Sequence, residues 1–154
     1  MDFINEIRQV EINLQTTKQS EYFSSYWPRL NTRKNAWIDW SDEVTSLERF
    51  VCAFDDPYAG SKTLLNGDIV SLKSVMSDSG YQNFHKFQSG IIYQKGPSWL
   101  SVCVNGGTLI VRHVLNGAGE DIFSSIQVGD RFVTPQEYID SRYERIIYTP
   151  SGQK

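Results

Sequence analysis

Between Lys62 and Leu115 the chain breaks into five short β-prone runs, separated by residues that force tight turns. The runs are Lys62 to Leu65, Ile69 to Met76, Gly90 to Gln94, Trp99 to Val104 and Thr108 to Leu115. Asn66-Gly67 supplies the positive φ angles of a two-residue hairpin, and Lys95-Gly96-Pro97-Ser98 and Asn105-Gly106-Gly107 are further turn signals. Consecutive hairpins make an antiparallel meander. Five short strands are too few for a large sandwich, so the expectation is a small, partly open barrel or a curled sheet covered by a helix.

Helical signals flank this region. Phe3, Ile7, Val10 and Leu14 form one apolar stripe on an otherwise polar stretch, which predicts an amphipathic helix in need of a partner. From Gln15 to Ser25 the sequence turns polar and loses any period, as a connector does. Pro28 pushes Trp27 towards extended geometry, so Tyr26 to Arg33 is expected to be extended. Ser41 offers a capping hydroxyl before Asp42 and Glu43, and Val44, Leu47, Val51 and Phe54 then mark a core-facing helix that Asp55-Asp56-Pro57 stops. Thr134-Pro135-Gln136-Glu137 predicts a capping box and a last helix to about Arg145.

The fold class expected is therefore α+β: a small antiparallel β-barrel or curled sheet with an N-terminal helix, one packed helix and a C-terminal helix. Residues 1–25 read as helix and connector, 26–40 as an extended linker with aromatic anchors, 41–148 as the domain, and 149–154 as a frayed tail. A hydrophobic fraction of 40% with 21% charged residues supports a real core. No run approaches the roughly 18 apolar residues of a membrane span, and the N-terminus lacks signal-peptide character, so a soluble cytoplasmic protein without membrane contact is expected. Cys52 and Cys103 read as buried reduced thiols, with no metal and no disulfide assigned. The net charge of −3 argues against a surface built to neutralise many phosphates.

Several residues invite chemistry. Asn83 and His85 share an Asn-x-His spacing that suits polarising a carbonyl and moving protons, yet no rigid apolar strand precedes them and a loop histidine is the better reading. His113 lies in a β run with no nearby ligand-type residue, and Asp55 and Asp56 suit a turn better than an acid pair. Tyr26, Trp27, Trp37 and Trp40 interleave with Arg29, Arg33 and Lys34, a pattern that either stacks a nucleotide ring or pins the linker; packing is favoured.

A set of separated strings carries a family resemblance: Tyr26-Trp27-Pro28-Arg29-Leu30-Asn31-Thr32, Ile38-Asp39-Trp40-Ser41, Phe54-Asp55-Asp56-Pro57-Tyr58-Ala59-Gly60, Leu65-Asn66-Gly67, Phe87-Gln88-Ser89-Gly90-Ile91-Ile92-Tyr93 and Val128-Gly129-Asp130-Arg131-Phe132-Val133-Thr134-Pro135. In order and spacing they resemble the C-terminal portion of the methionyl-tRNA formyltransferase superfamily, in particular its sugar N-formyltransferase members, over residues 20–140. The resemblance implies an OB-like domain. It also implies a parent enzyme that moves a formyl group from 10-formyltetrahydrofolate to an amine, with an N-terminal Rossmann-like domain holding the folate and the catalytic residues.

By that comparison the chain begins in or just after the last helix of the missing domain, and the Phe3 stripe docks on it. Lys86 and Phe87 follow His85 where the family continues into Pro-Ser-Leu-Leu-Pro, so Asn83 and His85 do not inherit its catalytic role. No catalytic residue and no cofactor are assigned to this chain. Tyr26, Trp27, Arg29, Asn31 and Trp40 are the weak candidates for acceptor binding or linker anchoring. Asp55, Asp56, Pro57, Gly60, Gln88, Gly90, Gly129, Asp130, Arg131, Thr134 and Pro135 are the structural motif. From Phe50 to Pro135 four Lys and two Arg face seven Asp and Glu, which favours a nucleotide-linked amino sugar over tRNA as acceptor. The rival readings are a free-standing nucleic-acid-binding barrel and a self-association domain that forms a homodimer.

Overall fold

A computed structural model describes residues 17–18, 20–25, 30–80, 82–144, 147–149 and 152–153. The expected stripe Phe3, Ile7, Val10 and Leu14, together with Tyr26 to Arg29, lies outside the described residues. Three α-helices and six principal strands follow: α1 (Thr32–Asn35), α2 (Val44–Ala53), β1 (Ser61–Leu65), β2 (Asp68–Asp78), β3 (Ile92–Lys95), β4 (Leu100–Val104), β5 (Gly107–Leu115), β6 (Phe132–Val133) and α3 (Gln136–Ser141). A terminal pair, β7 (Tyr148–Thr149) and β8 (Gly152–Gln153), stands apart.

The strands form one curled antiparallel sheet in the order β3-β4-β5-β2-β1-β6, the α+β, OB-like architecture expected. Its meander is local. The β1–β2 turn is made by Asn66 (φ 53°) and Gly67 (φ 93°), both left-handed as a twisted two-residue hairpin requires. The sixth strand is too short to announce itself by periodicity, but it decides the shape. On one side it pairs Leu64 with Val133 and Leu65 with Phe132. On the other, Phe132 N donates to Gly90 O at 2.9 Å, Ile92 N to Asp130 O at 2.9 Å and Gly129 N to Ile92 O at 2.8 Å. The segment 129–133 thus joins the two edges of the curl, leaving few unpaired backbone groups along either.

The long strands bend at one level. Along β2 the buried apolar side chains are Val70 and Leu72, then Val75; along β5 they are Leu109 and Val111, then Val114. A regular strand alternates with period two, so each strand changes the face it buries, and the paired register places both changes side by side. Ser74, with φ 52°, marks the corner. Its amide donates to Asp55 Oδ2 at 2.8 Å, and Asp55 Oδ1 accepts from Asp56 N at 2.8 Å, while Lys73 pairs with Asp56. Asp55, beside the Asp56–Pro57 cis peptide at the end of α2, therefore anchors the bend of the sheet.

α2 covers β2 and β5 with Val44, Leu47 and Val51, in a core shared with Ile38, Leu72, Val102, Leu109 and Phe132. Several local expectations fail. α2 is capped at Glu43 rather than at Ser41 and starts at Val44: Ser41 Oγ donates to Asp39 Oδ1 at 2.7 Å, and the helix's first amide donates to Asn105 O at 2.9 Å. The capping box does not form either. Thr134 turns inward, Pro135 takes the cap position, and α3 ends at Ser141. Thr32 and Arg33, expected to be extended, begin a helical turn capped by Asn31 Oδ1, which accepts from Arg33 N at 2.8 Å. Residues 36–38 are stitched to β1 by Lys62 N to Ala36 O (2.7 Å) and Ile38 N to Lys62 O (2.9 Å). Cys103 is buried but Cys52 is exposed, on the outward side of α2.

Gly90 sets the tightest test of this closure. A Cβ there would stand 2.1 Å from Phe132 O, and its φ of 84° disfavours any side chain, whereas a Cβ on Gly67 would meet nothing within 4 Å. Gly90→Ala should therefore lower unfolding stability by about 2–5 kcal/mol, left-handed strain plus overpacking, and Gly67→Ala by about 1–2 kcal/mol, strain alone. Urea denaturation of the two variants would measure it; equal losses would mean that the close approach does not matter.

Candidate functional site

Three of the sequence strings meet around one cleft of about 430 Å³. The buried chain 36–40 supplies Asp39 and Trp40, the turn 86–89 supplies Lys86 and Ser89, and the closing segment supplies Arg131 and Thr134. At its base Trp40 stacks on Phe132, with ring centroids 5.6 Å apart and planes within 5°, and its Nε1–H donates to Thr63 Oγ1 at 2.9 Å. Thr63 Oγ1 lies 3.1 Å from Thr134 Oγ1, so Trp40 and Thr134, from two of the strings, are tied in series through Thr63 of β1. Trp37 stacks on Tyr138 of α3 at 4.2 Å, fastening the same entry segment from the other side. Trp40 is thus an anchor first, with little of its ring left to a ligand.

The polar groups of the cleft are partly committed. Arg131 Nε donates to Ser89 O at 3.0 Å, and Asp39 Oδ1 accepts from Ser41 N at 2.9 Å. The remaining guanidinium face of Arg131 and the Lys86 ammonium leave a small cationic lip opposite Asp39, chemistry that suits a polar or anionic surface group rather than proton transfer. Gln88 Oε1 accepts from His85 N at 2.8 Å, and Asp130 Oδ2 from Gln127 N at 2.8 Å. These motif residues shape turns. Gly60 and Gly129 take left-handed backbone where those turns need it. Tyr26, Trp27 and Arg29 lie outside the described residues, and Asn31 is the cap of α1.

Asn83 and His85 stand exposed on the loop before β3, with His85 Nδ1 accepting from Phe87 N at 3.4 Å as a turn cap. His113 is also exposed, 3.0 Å from Asp121 Oδ2. Partial burial would raise the Asp121 carboxyl, but hydrogen bonds from His113, Phe123 N and Val114 N, with the His113 charge, outweigh it and hold Asp121 below the usual carboxylate range. Both thiols are pushed up, Cys103 by burial, and Cys52 by the partial burial of an otherwise exposed residue and by the nearby carboxylates of Glu48 and Asp55. Neither is poised as a nucleophile. Among the described residues no group of three or more His, Cys, Asp or Glu could hold a metal ion.

The sequence pattern did not single out a second, larger concavity, about 640 Å³ on the outer face of β2, β5, β4 and β3. Tyr93, Trp99 and Arg112 line it. Apolar Met76 and Ile110 at outward positions of strands were the available signal.

A curled six-strand sheet closed by a short segment, with an entry chain stitched to β1, defines a small OB-like domain. Residues 31–122 match the model of the formyl transferase C-terminal domain, and the chain belongs to that family. Comparison with curated proteins finds no match.

Trp40→Phe keeps the stack on Phe132 and removes one buried donor, so it should cost about 1–2 kcal/mol, whereas Trp40→Ala should cost about 3–5 kcal/mol. Chemical denaturation followed by circular dichroism would separate them. Asp121 predicts a pH effect: its depressed folded value makes its contribution present above the unfolded value of about 3.9 and lost as pH falls through the folded one. The difference in urea midpoint between the wild type and Asp121→Asn should accordingly shrink on going from neutral to strongly acid solution; a constant difference would contradict it.

Proposed function

We propose that this chain is the accessory C-terminal part of a formyltransferase, which positions the acceptor and holds a separate Rossmann-like N-terminal domain where the chemistry occurs. The observation that carries this reading is the family match itself, which begins at Asn31 where the chain enters the barrel through α1. The Trp40 cleft, with the cationic lip of Lys86 and Arg131, offers a docking edge to a partner domain.

In this reading the parent reaction moves a formyl group from 10-formyltetrahydrofolate to an amine. Asn83 and His85, exposed and engaged in a loop, do not fit a carbonyl-polarising pair, so no step of the folate chemistry is assigned to this chain. The proposed acceptor is a nucleotide-linked amino sugar rather than tRNA. Charge supports this choice. Of the six cations between Phe50 and Pro135, Lys73 pairs with Asp55 and Asp56, Lys95 Nζ donates to the carbonyls of Phe123, Ser124 and Ile126, Arg131 to Ser89 O, and Lys62 lies over Trp37. Most of the positive charge is used inside the domain, which leaves little to release counterions from a polyanion. The proposed place of action is the cytoplasm, where folate one-carbon donors and nucleotide sugars meet.

The test has two arms. Mixed with a Rossmann-like formyltransferase domain, the chain should restore formylation of a nucleotide-linked amino sugar, while alone it should show no turnover of 10-formyltetrahydrofolate. Filter binding at low ionic strength should give no saturable complex with tRNA. Turnover by the chain alone would refute the division of labour, and tight tRNA binding with a steep salt dependence would move the acceptor to the tRNA branch.

A further inference from the structure

The groove on the outer sheet face is built across four strands by register. Met76 of β2 pairs with Ile110 of β5, Ile110 with Ser101 of β4, and Ser101 with Gln94 of β3, so these side chains share one face. This is the face opposite the α2 core. Its floor is made of small polar residues, Ser101 and Thr108, both buried, which is what makes the surface concave.

Two aromatic rings rise from that floor, and both are held in place. The ladder between β3 and β4 shifts register between Ile92 and Gln94, and a bulge of this kind re-aims the side chain it contains, here Tyr93. Its hydroxyl donates to Gln82 Oε1 at 2.9 Å and lies 2.8 Å from Thr108 Oγ1, which then donates to it. Its ring also rests on Phe84, with centroids 5.2 Å apart. Trp99 lies against Gly96 so closely that a Cβ there would come within 2.3 Å of the indole, and Gly96 N donates to Trp99 O at 2.8 Å. The glycine turn is thus a seat for the indole, and neither ring needs to be ordered when a ligand arrives.

The rim carries hydrogen-bonding groups of mixed sense. Gln82 has its carbonyl oxygen taken by Tyr93 and keeps its amide donors. Asp78 gives Oδ1 to Gly80 N at 3.0 Å and keeps its other oxygen as an acceptor. Gln94 and Arg112 have side chains with no hydrogen bond or ion pair to another described residue. Among the described residues one acid, Asp78, and one cation, Arg112, line the groove, so their charges balance.

We infer that this groove is a binding site for a sugar ring. A pyranose has an apolar face of C–H groups that lies on an aromatic platform and an equator of hydroxyls that both donate and accept, which matches two seated rings flanked by amides, a carboxylate and a guanidinium. A nucleotide fits less well: its phosphates would meet a single Arg112 balanced by Asp78. The volume of about 640 Å³ lies in the range of small-molecule sites. The inference does not depend on the formyl-transfer reading, because it rests on residues outside the Trp40 cleft and holds whichever acceptor the parent enzyme uses.

The experiment is a two-dimensional amide NMR titration of the full chain with glucose, galactose, mannose, fucose and N-acetylglucosamine, and separately with UMP. At least one sugar should produce saturable shifts of the Trp99 indole and the Gln94 side-chain amide, with a dissociation constant in the millimolar range or tighter. Trp99→Ala should weaken that sugar about tenfold, with the Trp40 indole resonance unmoved as the sign of an intact fold. Gln94→Ala, at an exposed position, should weaken it as well and covers the case in which the Trp99 variant fails to fold. No saturable shift with any of the five sugars, binding unaffected by Gln94→Ala, or a response to UMP alone would each overturn the inference.

Discussion

The closing of the curl by residues 129–133 is the constraint on which the rest of the structure depends. A curled sheet with two open edges exposes rows of unpaired amides and carbonyls, and those edges cost stability and invite association. Here one short segment serves both edges, bonding to Leu64 and Leu65 on one flank and to Gly90 and Ile92 on the other. That geometry requires backbone to approach backbone at Gly90, places Phe132 fully in the core, and so puts its ring under Trp40. The cleft beside Trp40 is a product of closure rather than an independent feature.

This dependence explains what could be read from the sequence. The five meander strands were legible because each is a short run of mostly apolar, β-prone residues and because Asn66-Gly67 and Asn105-Gly106 fix the turns locally. α2 was legible by its stripe. The sixth strand was not, since two residues have no period, although Gly90, Gly129 and Arg131 were already picked out as motif residues. The caps at Ser41 and Thr134 misled for a shared reason: each hydroxyl has a partner elsewhere, Asp39 for Ser41 and Thr63 for Thr134. A local rule predicts one bond, but a competing local acceptor took the Ser41 hydroxyl and a tertiary partner took that of Thr134.

The site is less legible than the fold. Trp40, Arg131 and Thr134 do come together, but as packing and closure around a cleft. The corner at Ser74 had no sequence signal of its own; only the shift of apolar residues from Val70 and Leu72 to Val75, out of step by one, hinted that β2 changes face. The carboxylate that receives the Ser74 amide, Asp55, is 19 residues away in sequence, so its turn role was readable while its hold on the sheet was not.

The corner also accounts for the outer groove. Had β2 and β5 kept strict alternation past Ser74, Met76 and Ile110 would lie on the core face, and Val75 and Val111 on the outer one. The change of phase turns Met76, Ile110 and Arg112 outward beside Ser101 and Thr108. A carboxylate at the end of α2 therefore sets which side chains line a concavity on the opposite face of the sheet. The helix is needed there as well as over the core, because without Asp55 the left-handed Ser74 amide would lose its acceptor and the phase change its support.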